Sequence, residues 1–131
     1  MGPREVVERL KESYLGERLD GSLLADDVVL EWPFAAPGRP RRMVGRDDFL
    51  AMVAPQRAAL PFRLDRLRVD AVHETADPEV VILEFELGGT VHATGERHSA
   101  AMVAVFRVRD GKVVLWREYQ DTYAIAQAIG S

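Results

Sequence analysis

The apolar positions of the chain change period about halfway along. Behind Pro3, which suits a first helical turn, Val6, Val7, Leu10 and Tyr14 recur at helical spacing and predict an amphipathic helix that fades at Gly16. In "LDGSLLADD", Leu19, Leu23 and Leu24 predict a short second helix with the leucines inward. Residues 28–34, "VVLEWPF", alternate instead. Val28, Leu30, Trp32 and Phe34 share one face, Val29, Glu31 and Pro33 the other, and Pro33 marks an edge or a strand end. A proline- and glycine-rich loop, "AAPGRPRRMVG", leads into a third helix, "RDDFLAMVA", whose early acids suit the helix dipole and which Pro55 should kink or stop. From Phe62 onward the pattern is of strands, at 62–73, 79–87, 90–108 with a bend at Gly95, and 112–120. Their separators are "TADP", "GG" and "RDGK", the last a strong hairpin signal because Asp-Gly accommodates the positive dihedrals of a tight turn. "TYAIAQAIG" closes the chain as a short helix stopped by Gly130. The order predicts an α+β fold in which three helices pack on one face of a curved antiparallel sheet, followed by a short C-terminal helix.

Composition narrows the partners. With 131 residues, 47% of them apolar, the chain is one domain spanning 1–131, with room for a core and a cavity. A net charge of -4 gives no electrostatic case for nucleic acid or an anionic membrane, and the apolar runs are too short to span a bilayer. The absence of cysteine removes disulfides, thiol nucleophiles and cysteine metal sites, and fits a cytoplasmic protein. No two histidines stand at a helical metal spacing, so neither a metal nor another cofactor is expected. The arginines at 39, 41 and 42 lack an aromatic platform or a glycine-rich cradle and read as a solvated loop or a flap over a pocket entrance.

Three stretches, "LLADDVVLEWPF", "PGRPRRMVGRDDF" and "FRVRDGKVVLWREYQD", together with the element order, resemble the nuclear transport factor 2-like superfamily. Within it the chain is most similar to SnoaL-like polyketide cyclases, phenazine-biosynthesis A/B-type proteins and limonene epoxide hydrolase. The resemblance implies a cone-shaped bent sheet wrapped over helices. For chemistry it implies different things by family. The ketosteroid isomerase base would fall at Trp32 and its second acid at Ala104, so that chemistry is not expected. "WREYQD" matches the run that carries one acid of the epoxide hydrolase triad, with Glu118 in the place of the Asp, while the strand around 84–87 offers Glu84 and Glu86 and no Arg. The phenazine-type acid-base glutamate also maps onto Glu118, between Arg117 and Tyr119.

Strand alternation puts Trp116, Glu118 and Gln120 on one face, which the related pockets imply is the inner one. A carboxylate beside an indole in an apolar cavity loses hydration, its pKa rises, and it can hold or deliver a proton near neutral pH. Glu118 is therefore the candidate acid-base residue; the competing reading pairs it with an arginine or turns it to solvent. On the neighbouring strand His98, Ala100, Met102, Ala104 and Phe106 share a face, with His98 as an auxiliary at the pocket mouth. Trp32 and Tyr14 complete the expected lining, together with Trp116, Gln120, Met102, Ala104 and Phe106. Burial of Val81, Leu83, Phe85 and Leu87 would turn Glu84 and Glu86 outward, whereas the hydrolase alignment would turn them inward. Two functions follow: an acid-base enzyme acting without a cofactor on a small apolar, cyclic or polyketide-like molecule, or a noncatalytic small-molecule-binding or scaffold protein. Either is expected to be a homodimer, because Val113, Leu115 and Tyr119 would leave an apolar patch on the outer sheet face.

Overall fold

The computed structural model describes residues 2–15 and 19–129. The expected helix ends at Gly16 and Gly130 lie outside the described residues. Helix α1, Pro3–Tyr14, buries Val6, Val7 and Leu10. The expected second helix is a single 3₁₀ turn, Gly21–Leu23, capped by the Asp20 side chain on the Ser22 N–H. Capping residues this close to a β-rich run leave no length for an α-helix, and strand β1, Leu24–Glu31, starts directly behind it. It ends before Trp32, so Phe34 does not share the inner face; it is 59% exposed and packs edge-on to Tyr119. The loop expected at 35–45 contains a short edge strand, β2, Arg42–Val44, too brief to show a period. Helix α2, Arg46–Ala58, runs on through Pro55. Proline deletes only its own N–H donor, and the next turn forms regardless, with the Ala59 N–H bonded to the Pro55 carbonyl.

Strands β3, Phe62–Glu74, β4, Val80–Val91, β5, Arg97–Arg109, and β6, Lys112–Gln120, form an antiparallel meander, and helix α3 is Thr122–Ile129. Gly88 and Gly89 do not form the expected turn. They lie inside β4, paired with Ser99 and His98, and the hairpin turns instead around Gly95 at a φ of +72°. The glycines are there for close approach. A Cβ on Gly88 would stand 2.5 Å from Nε of Arg66, whose guanidinium crosses β4 to the carbonyls of Gly89 and His98, each at 3.2 Å.

The sheet order is β2-β1-β6-β5-β4-β3. One pairing departs from the expected antiparallel sheet: β1 runs parallel to β6, so the six-stranded sheet is mixed, open and α+β. The inner face holds the core. Val81, Leu83, Phe85 and Leu87 point into it, and Glu84 and Glu86 face outward, bound to His73 at 2.5 Å and to Arg68 at 2.9 Å. That settles their direction against the hydrolase alignment. Val113 also differs from expectation. It is fully buried, because Val108 pairs with Val113 while Arg107 pairs with Leu115. The extra residue, Val114, makes a β-bulge that puts Val113 and Trp116 on the same face although they are three apart.

Candidate functional site

Two adjoining chambers occupy the space between the inner sheet face and the helices. The outer cavity, about 330 Å³, is bounded by α3, the loop at 35–40, α2, and the ends of β3, β4 and β5. Its size lies at the small end of the range of roughly 300–1,000 Å³ usual for small-molecule sites. Its walls are mostly apolar. The small side chains of Ala124, Ala126 and Ala128 on α3 and Ala100 on β5 leave the space open. The inner chamber, about 100 Å³, is walled by Glu118 and Trp116 from β6, Gln56 and Arg57 from α2, Tyr14 from α1 and Phe49. Tyr14, Trp32, Met52, Gln56 and Gln120 border both spaces, so the two adjoin across these side chains and only they stand between the outer cavity and the Glu118 chamber.

Glu118 is 4% exposed, the one buried acid among the described residues. Its position follows from the bulge: the alternation resumes at Trp116 and aims 116, 118 and 120 inward. Gln120 Nε2 donates to Glu118 Oε2 at 2.9 Å, while Oε1 has no hydrogen-bond partner among the described residues. Trp116 Nε1, a buried donor on the same chamber wall, likewise makes no hydrogen bond of normal geometry, though it lies near enough to the Glu118 carboxyl to favour its charged form. Glu118 is in no salt bridge among the described residues; the adjacent Arg117 is held at 3.0 Å by Glu31 on β1, on the outer side of the sheet. Loss of hydration raises the Glu118 pKa. Gln120, Trp116, Arg57 and Tyr14 oppose that rise. Burial, followed by the nearby Glu118 charge, also pushes the Tyr14 phenol upward, so it stays a neutral hydroxyl. Arg57 lies over the Tyr14 ring, 5.0 Å from its centroid.

The remaining residues singled out in the sequence divide between the chambers and the core. Met102 and His98 border the outer cavity, and Gln120, Trp32 and Tyr14 border both spaces. Ala104 and Phe106, expected as lining, border neither. Ala104 sits opposite Glu118 in the β5–β6 ladder, and the Phe106 ring packs on Trp116 at 5.4 Å. The indole fills the space those two would otherwise reach. His98 is not brought to Glu118. Six residues of extended strand separate it from Ala104, about 20 Å; its ring contacts Glu96 at 3.3 Å. Gln56 and Arg57 were not singled out in the sequence. The period of α2 is weakened by Pro55 beside them, and only the third dimension brings that helix over β6. Among the described residues no group of three or more histidines and acids is placed to hold a metal ion, and no helix is long and apolar enough to cross a membrane.

The family model of the SnoaL-like domain matches residues 16–116. The chain belongs to the SnoaL-like family. The match stops two residues before Glu118. This SnoaL-like chain is 31% identical over 108 residues to the uncharacterized PhzA/B-like protein PA3332 of Pseudomonas aeruginosa, covering 82% of this chain and 74% of that protein. It is 29% identical over 108 residues to the uncharacterized protein YesE of Bacillus subtilis, covering 80% and 70%. Among solved structures, a candidate isomerase from Bacillus subtilis superposes with a TM-score of 0.86 at 25% identity, covering 98% of this chain and 92% of that one. An LEH-like epoxide hydrolase of M. tuberculosis superposes at 0.69 and 20% identity, covering 95% and 86%, and shows the shared fold. The nuclear transport factor 2-like cone is thus common to isomerase-named and hydrolase-named relatives, and the site itself has to distinguish among chemistries.

Proposed function

We propose that the protein is an acid-base enzyme that needs no cofactor, an isomerase, cyclase or hydrolase-like catalyst for a small, largely apolar, cyclic or polyketide-like molecule. Glu118 is its proton carrier. One observation carries this reading: Glu118 Oε1 and Trp116 Nε1 are both buried, without a hydrogen bond of normal geometry, on the wall of a chamber that adjoins an apolar cavity. Buried polar atoms are normally satisfied, so two of them converging on one space suit an oxygen atom of a ligand. Neutral Glu118 would give its proton to that oxygen as charge develops, and Trp116 N–H would donate a second hydrogen bond. The carboxylate so formed can then take a proton from the substrate, which closes an isomerisation or cyclisation cycle without net consumption of acid. Tyr14 adds a hydroxyl that remains protonated throughout. His98, distant from Glu118, would serve as a polar contact at the mouth.

Turnover of a substrate found by screening tests the assignment. Glu118→Gln keeps size and neutrality but cannot release a proton, and should lower kcat roughly a hundred- to ten-thousand-fold. Full activity in that variant rules out Glu118 as the acid-base group.

Binding without turnover is the second reading. It draws on Trp32 standing where the isomerase base would be and on Glu84 and Glu86 facing outward, away from any hydrolase triad. A ligand that co-purifies and returns chemically unchanged after prolonged incubation would favour it.

A further inference from the structure

The protein carries 21 acidic residues against 17 Lys and Arg, so a surface or cleft taken at random should hold acids at least as often as bases. The outer cavity does not. None of its lining residues is an Asp or Glu, while Arg39 and His98 both border it. Arg39 is also unlike most arginines in this chain. Those at 4, 46, 63, 66, 68, 107, 109 and 117 are in salt bridges, whereas the Arg39 side chain has no ion pair or hydrogen bond among the described residues. Its backbone is fixed by an N–H bond to the Ala36 carbonyl, within the turn that forms the rim. An unpaired guanidinium at the edge of an apolar cavity presents a planar fork of donors that matches a carboxylate. In the inner chamber the Arg57 guanidinium already faces the Glu118 carboxyl, so that end offers an anion no unopposed cation.

We propose that the ligand of this site is a small amphiphilic carboxylate. Its apolar body lies among the alanines of α3 and β5, its charged group stands at the mouth beside Arg39, and its neutral end reaches toward the inner chamber. The proposal rests on reading the two chambers as a substrate site and adds a charge and an orientation to it.

Decanoate and decan-1-ol, equal in chain length and different in charge, are the probes. Trp32 borders both spaces and Trp116 the inner one, so the combined tryptophan fluorescence reports occupancy. At pH 8 and low salt, decanoate should bind about tenfold more tightly than decanol, as one charge-assisted contact would give. Arg39→Ala should bring the two affinities together with little change for decanol, and Arg41→Ala, next to it in the exposed loop, should leave the preference intact. Equal affinities in the unaltered protein, failure of both probes to bind, a preference that survives Arg39→Ala, or an equal loss in Arg41→Ala would each overturn the proposal. Glu118→Gln separates this from the catalytic reading: it should abolish turnover and retain the decanoate preference, so either idea can fail while the other stands.

Discussion

Between about pH 4.3, where a glutamate ionises in an unfolded chain, and the raised pKa of Glu118, the native state holds a proton that the unfolded state has released. The stability associated with the neutral group is complete below the unfolded pKa and is lost as pH rises through the folded one. Glu118→Gln is neutral at every pH and escapes that loss. Thermal melts at pH 4 and pH 8 should therefore show the variant gaining on the parent as pH rises; parallel curves would mean that the carboxyl titrates normally. The reason is burial of the group with one amide contact and an unpartnered oxygen. At this scale the sequence was informative, since a two-residue period around Trp116 was enough to aim Glu118 inward. Its surroundings were not legible in the same way. Gln56 and Arg57 lie some sixty residues upstream and meet it only through the path of α2, and no local pattern encodes that approach.

Elements were readable where one period dominated and misread where a tertiary contact overrode a local rule. Helix α1 and the Asp110–Gly111 hairpin, with φ of 52° and 75°, follow directly from spacing and turn chemistry. The β4 glycines do not. Adjacent glycines favour a turn in isolation, and here they let the Arg66 side chain lie flat across the strand to reach β5. Gly88→Ala should destabilise the protein by about 1 kcal/mol in denaturant unfolding, because the added methyl displaces the Arg66 guanidinium from its two carbonyl partners. In an Arg66→Ala background the same change should cost little, and a full penalty there would show that the contact is not the cause. A second staple joins the 75–80 turn to β5, where Arg107 and Arg109 hold Glu79 and depress its pKa to about 2. Because a depressed carboxyl stabilises above its unfolded pKa and loses that effect as pH falls through the folded one, Glu79→Gln should lower Tm at pH 7. The difference should shrink toward pH 2 and in high salt, as befits an exposed cluster.

For the whole molecule, the helices and the outer sheet face divide the work. The helices enclose the chambers, while Val29, Val103, Val105, Leu115, Tyr119 and Phe34 remain partly or largely exposed. Val113 is absent from that patch, yet enough apolar surface is left for a homodimer to be the expected solution state. Sedimentation at micromolar concentration should give twice the chain mass, and Val103→Lys with Leu115→Lys should give the monomer with its melting transition preserved above the parent's dissociation range; a parent that sediments as a monomer contradicts the expectation. The bulge at Val114 has a further consequence for how such a chain can vary. A strand lacking Val114 would alternate strictly, with Val113 and Trp116 now two apart and both still inward. The extra residue is slack between the hairpin and the pocket: a deletion there leaves the carboxylate aimed into its chamber, whereas a deletion between Trp116 and Glu118 would turn the acid to solvent.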